Sequence, residues 1–149
     1  MVLRPRGRSE QAGAKLRTGS VEFFQGRLAR LKLAARQYGY LHATPKTWPG
    51  NRLQQLQKEH EPLGLPILDA GDYLIEAMFK MGPTVSTGLD VAPADWVVIE
   101  AFARATDRIS EPWEFEALFD MCAAYHQGLQ AGADPFAMPP VEIAAAAQE

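Results

Sequence analysis

One stretch decides how this chain folds: SEPWEFEALFDMCAAYHQG, residues 110–128. Its apolar residues recur at steps of three and four, which is the period of one face of an α-helix. They are Phe115, Leu118, Phe119, Cys122 and Tyr125. Ser110 can cap the first turn, Pro112 suits that turn because its missing N–H would have no partner there, and Trp113 anchors it. We therefore predict a helix over this whole stretch.

The preceding stretch, APADWVVIEAFARATDR (residues 92–108), predicts a second helix. Pro93 opens it, and the residues from Trp96 onward are so uniformly apolar that we expect the most buried helix of the protein. Only about four residues, 107–110, link the two helices, and so short a link predicts an antiparallel hairpin over residues 93–128.

Two further helices should pack on this hairpin. One spans Asp69 to Met81, with Asp69 as its cap, and the other spans Ser20 to Tyr38 and ends at Gly39. The sequence between Met81 and the hairpin, TVSTGLDV (residues 84–91), has neither a helical nor an alternating period and is expected to be a loop.

These patterns predict an all-α fold, a small helical domain with a central antiparallel helix hairpin. Seven side chains are expected to be its structural anchors. They are Tyr73, Pro93, Trp96, Phe102, Pro112, Trp113 and Phe119.

The domain should occupy residues 20–131 and contain a long surface connection over about residues 40–66, in which residues 51–60 form a short polar helix. Residues 1–19, rich in Arg, Gly and Ser, predict a flexible basic arm. Residues 132–149, rich in Ala and Pro, predict a flexible tail or one that ends in a short helix.

Composition favours one globular domain in a reducing cytoplasm. The chain has 149 residues, 47% of them apolar, and a single cysteine, Cys122, which we expect to be a buried, inert thiol. No apolar run approaches the roughly 20 residues of a membrane span, so we expect no membrane contact. The first residues, MVLRPRGRSEQ, carry charges where a signal peptide has its apolar stretch, and we expect no such signal.

No arrangement of residues predicts catalysis, a metal site or a cofactor. His42 and His60 have no cysteine or second histidine at ligand spacing. The stretch GPTVSTG, residues 82–88, lacks the lysine and the preceding strand of a phosphate loop. We therefore expect a protein that is not an enzyme.

Charge is distributed unevenly along the chain. Residues 1–36 hold nine Lys or Arg against two Glu, a balance of +7, so that a net charge of −3 leaves −10 for the remaining residues. The predicted basic contact residues are Arg27, Arg30 and Arg36, and the predicted acidic ones are Glu111, Glu116 and Asp120. Opposite signs could join copies of the chain head to tail, so self-association is one expectation.

In the order of three sequence features, this chain resembles the tail assembly chaperones of long-tailed bacteriophages and prophages. In that family a Tyr-led helix precedes a variable loop, a Pro or Thr with an aromatic residue opens the next helix, and a Pro-Trp-Glu triad opens a third. Tyr73, then Pro93 with Trp96, then residues 112–114 match this order. The loop here lacks an arginine that many members have, and ARATDR (residues 103–108) stands where they carry a Leu-Thr-Gly ending.

The resemblance implies a protein of the host cell cytoplasm, phage-encoded, that binds the tape-measure protein and assists tail-tube assembly. Its partners would be the tape-measure protein and the tail-tube subunits. Two alternatives remain open: a phage-encoded accessory protein that binds nucleic acid through its basic N-terminus, and a small inhibitor or adaptor of a host protein. Nucleic acid ranks lower because the second helix of the hairpin is acidic and would repel phosphate.

Overall fold

The computed structural model describes residues 24–148, and within them the chain is mostly helical. Its elements, in order, are α1 (residues 24–42), α2 (Arg52–Glu59), α3 (Asp72–Met81), β1 (Thr84–Ser86), β2 (Val91–Pro93), α4 (Trp96–Thr106), α5 (Pro112–Gly132) and α6 (Pro140–Ala147). The prediction of a mostly helical fold is confirmed. The predicted basic arm, residues 1–19, and the predicted helix start at Ser20 lie outside the described residues.

Helices α1 and α5 lie side by side. At one end the rings of Phe24 and Trp113 pack edge to face, with centroids 4.9 Å apart. Further along, the Arg36 guanidinium donates to Gln127 Oε1 from Nε at 3.3 Å and from Nη2 at 3.2 Å. Residue numbers rise together along the two helices, so they run in the same direction.

Glycines bring the backbones of α1 and α5 into contact. A methyl group on Gly39 would overlap the carbonyl oxygen of Tyr125, and one on Gly128 would overlap that of Arg36 and lie 2.8 Å from Tyr40 N. The prediction that Gly39 ends the first helix is therefore wrong. Gly39 makes the close crossing possible, and α1 continues to residue 42.

The core lies between α1, α3, α4 and α5. Its largest fully buried side chains include Leu74, Met78, Ile99, Leu118, Met121 and Cys122. Helix α5 contributes most to the core, whereas α4 buries only Ile99 and Phe102. The prediction that α4 is the most buried helix is wrong, because its apolar residues are divided between a core face and an exposed face.

Residues 84–93 form a β-hairpin where the sequence predicted a loop followed by a helix start. Strands β1 and β2 pair antiparallel, with Thr84 opposite Pro93 and Ser86 opposite Val91. The fold is therefore mostly helical with one small two-stranded sheet, and the prediction of an all-α fold is wrong in this respect. Pro93 lies in β2, and α4 begins three residues later. Each strand has only three residues, too few to show an alternating pattern.

Helix α4 is capped by Asp95, whose Oδ1 accepts hydrogen bonds from the N–H groups of Val97 and Val98. The sequence did not predict this cap, and the two caps that it did predict within the described residues, Asp69 and Ser110, are wrong. Helix α3 begins after Gly71, whose φ of 87° suits a residue without a side chain. Helix α5 begins after Glu111 rather than Ser110.

The connection between α1 and α3 contains the short helix that the sequence predicted, α2, which Asn51 caps. The connection is not confined to the surface, because Arg52 is buried. Its guanidinium lies 4.3 Å from the Tyr40 ring centroid and donates to the carbonyl oxygens of Gly132 at 3.2 Å and Asp134 at 2.6 Å. Arg52 thereby ties the connection to the end of α5.

Helix α6 stands where the sequence predicted a flexible tail or a short terminal helix. The buried side chain of Gln37 contacts it: Oε1 accepts from Val141 N at 3.4 Å, while Nε2 donates to Leu63 O at 3.0 Å. One polar side chain of α1 thus joins the connection and α6 to the domain.

The glycine contact between α1 and α5 can be tested with two alanine substitutions. Gly128→Ala places a methyl group against the backbone of α1 and should lower the free energy of unfolding by about 1–3 kcal/mol. Gly26→Ala is the control, because Gly26 lies in the same helix pair with open space around it and should gain about 0.5–1 kcal/mol of helix stability. Urea unfolding followed by circular dichroism measures both. Equal effects of the two substitutions would contradict the close crossing.

Candidate functional site

An aromatic stack on the outside of α4 and α5 is the most distinctive exposed feature of the domain. The rings of Trp96 and Phe119 lie parallel, with centroids 4.4 Å apart and an angle of 4° between their planes. Trp96 is nevertheless 48% exposed. Trp96 was predicted to be a buried anchor, and the structure instead holds it flat against Phe119 with its outer face in solvent.

Exposed apolar residues continue from Trp96 along α4. Val97, which is 74% exposed, is followed by the exposed Ala101 and Ala105 at steps of four. These steps place the three on one stripe of the helix. We call Trp96, Val97, Ala101, Ala105 and Phe119 the α4 surface.

The surroundings of the α4 surface are acidic. Residues 90–120 hold eight Asp or Glu against two Arg, a balance of −6. Of these, Glu100 and Arg104 pair with each other at 2.7 Å on the exposed side of α4. The predicted acidic residues Glu116 and Asp120 are exposed on either side of Phe119 in the sequence of α5. The surface is therefore an apolar strip with two acidic residues, Glu116 and Asp120, at its α5 edge.

The β-hairpin fixes the start of α4 and with it the position of Trp96. Ala94 is buried and its N–H donates to Pro83 O at 2.9 Å. On the α5 side, His126 Nε2 and Val91 O are joined by a 3.0 Å hydrogen bond. Neither contact could be predicted from the sequence, because both depend on the pairing of two very short strands.

A hydrogen-bond network joins Tyr73 and Glu114, two residues that lie 41 positions apart in the sequence. The Tyr73 hydroxyl donates to Glu114 Oε2 at 2.7 Å, and the N–H groups of Ser110 and Glu111 donate to Glu114 Oε1 at 3.0 and 2.9 Å. The Glu114 carboxylate therefore accepts three hydrogen bonds. Because Glu114 is only 7% exposed, these bonds replace most of its contact with water. Tyr73 holds α3 against the first turn of α5 through this group.

The same contacts set the protonation of Glu114 and Tyr73. Burial alone would raise the pKa of Glu114, but the hydrogen bonds from Ser110, Glu111 and Tyr73 outweigh it and lower that pKa. Burial, together with the hydrogen bond to a carboxylate, raises the pKa of Tyr73 well above its ordinary value. The pair consists of a neutral phenol and an ionised carboxylate at neutral pH.

The predicted basic residues do not form one continuous face. Arg27 contributes to a pocket beside Trp113. Arg30 Nη1 pairs with Asp69 Oδ2 at 3.0 Å, and the Arg36 guanidinium binds Gln127 across the helix crossing. Arg36 lies nine residues beyond Arg27, which is half a turn away around an α-helix.

The predicted acidic residues lie on the helix that runs beside α1. Glu111 precedes α5 and is at the same end of the domain as Phe24 and Arg27, since Phe24 packs on Trp113. The basic and acidic sets therefore do not occupy opposite ends of the domain.

The remaining predicted anchors have differing environments. Phe102 is buried and Trp113 is half-buried, whereas Tyr73 is 41% exposed and Pro112 is exposed at the start of α5. Pro93 supports the β-hairpin instead of a helix.

An aromatic cluster at the other end of α1 was not predicted from the sequence. Its rings are those of Tyr38, His42, Phe79 and Tyr125; His42 and Phe79 lie 5.6 Å apart, and each of them lies 5.0–6.0 Å from both tyrosine rings by centroid distance. His42 Nδ1 is hydrogen-bonded to the Tyr125 hydroxyl at 2.6 Å, and burial lowers the pKa of His42. His42 is thereby a neutral packing residue.

The single cysteine of the chain, Cys122, is buried. Burial raises the pKa of the Cys122 thiol to about 12, which keeps the sulfur protonated. Within residues 24–148, no three His, Cys, Asp or Glu side chains are grouped in a way that could hold a metal ion. The helices described for those residues include none that is long and apolar enough to span a membrane.

The Tyr73–Glu114 hydrogen bond gives a prediction about pH. Tyr73→Phe should lower the free energy of unfolding by about 1–2 kcal/mol at pH 7, because a buried carboxylate loses one of its donors. A carboxylate with a lowered folded pKa stabilises the fold above its unfolded value, near 4.5, and this contribution is lost as the pH falls through the folded pKa. The effect of Tyr73→Phe should therefore shrink below about pH 4.

Urea unfolding at several pH values measures this effect. Tyr38→Phe is the matched control, since it removes a hydroxyl outside the network and keeps the ring that packs on Phe79. A loss on Tyr73→Phe that is the same at pH 3 and pH 7 would show that the hydroxyl does not act through ionised Glu114.

Comparison with protein-family models, curated proteins and solved structures finds no match for this chain. What the protein does must be inferred from its own residues and their geometry.

Proposed function

We propose that this protein is a non-enzymatic tail assembly chaperone, whose α4 surface binds a long helical partner of the tape-measure type. The observation that carries the proposal is the exposed Trp96–Phe119 stack, with Val97 beside it. Tryptophan is enriched among the residues that dominate binding energy, and large exposed apolar groups with a polar border are typical of protein interfaces.

The shape of the α4 surface suits a helix. Ala101 and Ala105 are small, so a partner backbone can approach α4 closely along their stripe, while Trp96 adds a large anchor at the start of the helix, on the neighbouring stripe. An amphipathic helix could lay its apolar face along these residues and place its charged side chains over the α5 edge. The acidic residues at that edge favour a partner with Lys or Arg beside its apolar face.

The side chains that carry the family resemblance also contribute to one structural unit. Tyr73 binds Glu114 of the Pro-Trp-Glu triad, and Trp96 stacks on Phe119 of α5, about one and a half turns after that triad. We take α4 and α5 as the hairpin that presents the binding surface, with the Tyr73–Glu114 contact holding it in place.

In this role the protein would act in the host cell cytoplasm. It would cover apolar helices of the tape-measure protein until tail-tube subunits replace it, and several copies would bind along one long partner. Nucleic acid is a weaker candidate for this surface, because the exposed carboxylates of Glu116 and Asp120 beside Phe119 would repel phosphate.

A charge placed on the α4 surface should abolish partner binding without unfolding the protein. Val97→Asp adds a carboxylate to a 74% exposed position and should change the free energy of unfolding by no more than about 0.5 kcal/mol. Its affinity for the partner should fall at least about tenfold, because the apolar contact would bury a charge.

The measurement is co-expression with a very long helical protein encoded by a neighbouring gene, followed by purification and stoichiometry. Ile67→Asp is the control, since it introduces the same charge at an 85% exposed apolar residue outside α4. Co-purification of several copies that Val97→Asp abolishes and Ile67→Asp preserves would support the proposal. A long helical protein that is soluble and never retains this chain would refute the chaperone role.

A further inference from the structure

A buried cation without an ionic partner lies where α1, α2 and the end of α5 meet. Arg52 is only 7% exposed, and neither of the two ion pairs formed within residues 24–148 includes it. A positive charge taken out of water is costly unless an anion or a full set of hydrogen bonds compensates it. The groups that the fold places around Arg52 are uncharged, and they leave part of the guanidinium without a partner.

One nitrogen of the Arg52 guanidinium keeps its hydrogens available. Nε donates to Gly132 O at 3.2 Å and Nη2 donates to Asp134 O at 2.6 Å, whereas the described part of the chain offers no acceptor to Nη1, which remains in contact with solvent. The guanidinium carbon lies over the rings of Tyr40 and Trp48, 4.3 and 5.3 Å from their centroids. These four contacts hold the group in place, so Nη1 can donate to a bound molecule without rearrangement of the arginine.

Arg52 lines a pocket of about 240 Å³, which we call the Arg52 pocket. Its walls are mostly apolar and include Tyr40, Trp48, Leu63 and Val141. It is smaller than the roughly 300–1,000 Å³ of most sites for drug-sized molecules. An apolar cavity of about 150 Å³ already holds benzene, so the Arg52 pocket has room for one molecule of about the size of a free amino acid.

Two carboxylates stand at the edge of the Arg52 pocket, those of the exposed residues Glu59 and Glu142. The charge of Glu142 acts on Tyr40: burial is the largest cause of the raised pKa of this tyrosine, Arg52 lowers that pKa, and Glu142 raises it. Arg52 and Glu142 therefore both lie near the same tyrosine, yet no ion pair joins them. The pocket thus contains separated charges of opposite sign.

We infer that the Arg52 pocket binds a small zwitterion, a free α-amino acid with an apolar side chain. Its carboxylate accepts from Arg52 Nη1 and compensates the buried charge, while its ammonium group faces Glu142. Its side chain lies against the apolar walls. A simple anion fits less well, because the two carboxylates at the edge outnumber the one cation and would repel it.

This site is independent of the chaperone proposal. The described residues that line the Arg52 pocket include none from α4, so the α4 surface stays available when the pocket is occupied. Val97→Asp, which should abolish binding of the long helical partner, should leave binding of the amino acid unchanged. Failure of either proposal can therefore be recognised separately.

A nuclear magnetic resonance titration with L-leucine tests the site, with two analogues of similar shape for comparison. Leucine should shift the Trp48 indole resonance with a dissociation constant below about 1 mM and leave that of Trp96, on the α4 surface, in place. 4-Methylpentanoic acid lacks the ammonium group and isopentylamine lacks the carboxylate, so each should bind at least about tenfold more weakly. Absence of a saturable Trp48 shift with leucine, or an analogue that binds as tightly as leucine, would overturn the inference.

Two variants test the residues of the pocket. Glu142→Gln removes the carboxylate that faces the ammonium group and should weaken leucine binding at least about tenfold, whereas the control Glu61→Gln changes an exposed glutamate outside the pocket and should bind like the wild type. Val141→Trp fills the pocket and should abolish binding. Circular dichroism establishes that each variant is folded, and Glu142→Gln carries the test if Val141→Trp does not fold. Equal affinities of Glu142→Gln and Glu61→Gln, or a folded Val141→Trp that still binds leucine, would contradict the assignment.

Discussion

The contact between the backbones of α1 and α5 is the constraint on which the rest of the structure depends. Because Gly39 and Gly128 have no side chains, each helix approaches the carbonyl groups of the other. Dispersion contacts fall off steeply with separation, so a shift of even one ångström at this crossing would loosen the packing along both helices. The positions of all other elements follow from this pair.

Each end of the pair fixes a different part of the chain. Where the helices begin, Phe24 packs on Trp113 and Glu114 receives the Tyr73 hydroxyl, which places α3. Where α5 ends, its Gly132 carbonyl accepts from Arg52, which places the connection and the turn before α6. The α4 surface is attached to the same helix pair, because Trp96 stacks on Phe119 of α5.

The periodicity of apolar residues predicted the mostly helical character of the chain and the positions of its helices approximately. Helix ends were harder to predict. Gly39 was taken for a helix end because glycine often follows one, but a glycine can equally serve a close crossing, and only the partner helix distinguishes the two. Ser110 is a plausible cap by residue type, yet Glu114 binds the N–H groups of both Ser110 and Glu111, and α5 starts one residue later.

The sequence indicated which residues of the candidate surface matter, but it did not indicate that they are exposed. Trp96 and Phe119 were recognised as important, but a tryptophan in an apolar helix predicts burial unless the facing element is known. Arg52 was missed because an arginine in a polar helix predicts a solvated side chain, and its partners are carbonyl groups 80 and 82 residues away. Contacts of this kind are properties of the fold and leave no local pattern.

Native-state hydrogen exchange can show whether α1 and α5 unfold as one cooperative unit. The amides of Gly39 to Leu41 in α1 and of Ala124 to Gly128 in α5 should exchange only through global unfolding. Their opening free energies would then be equal and would fall equally with denaturant. Exchange of the α1 amides at a clearly lower free energy, with little dependence on denaturant and with α5 still protected, would contradict the account.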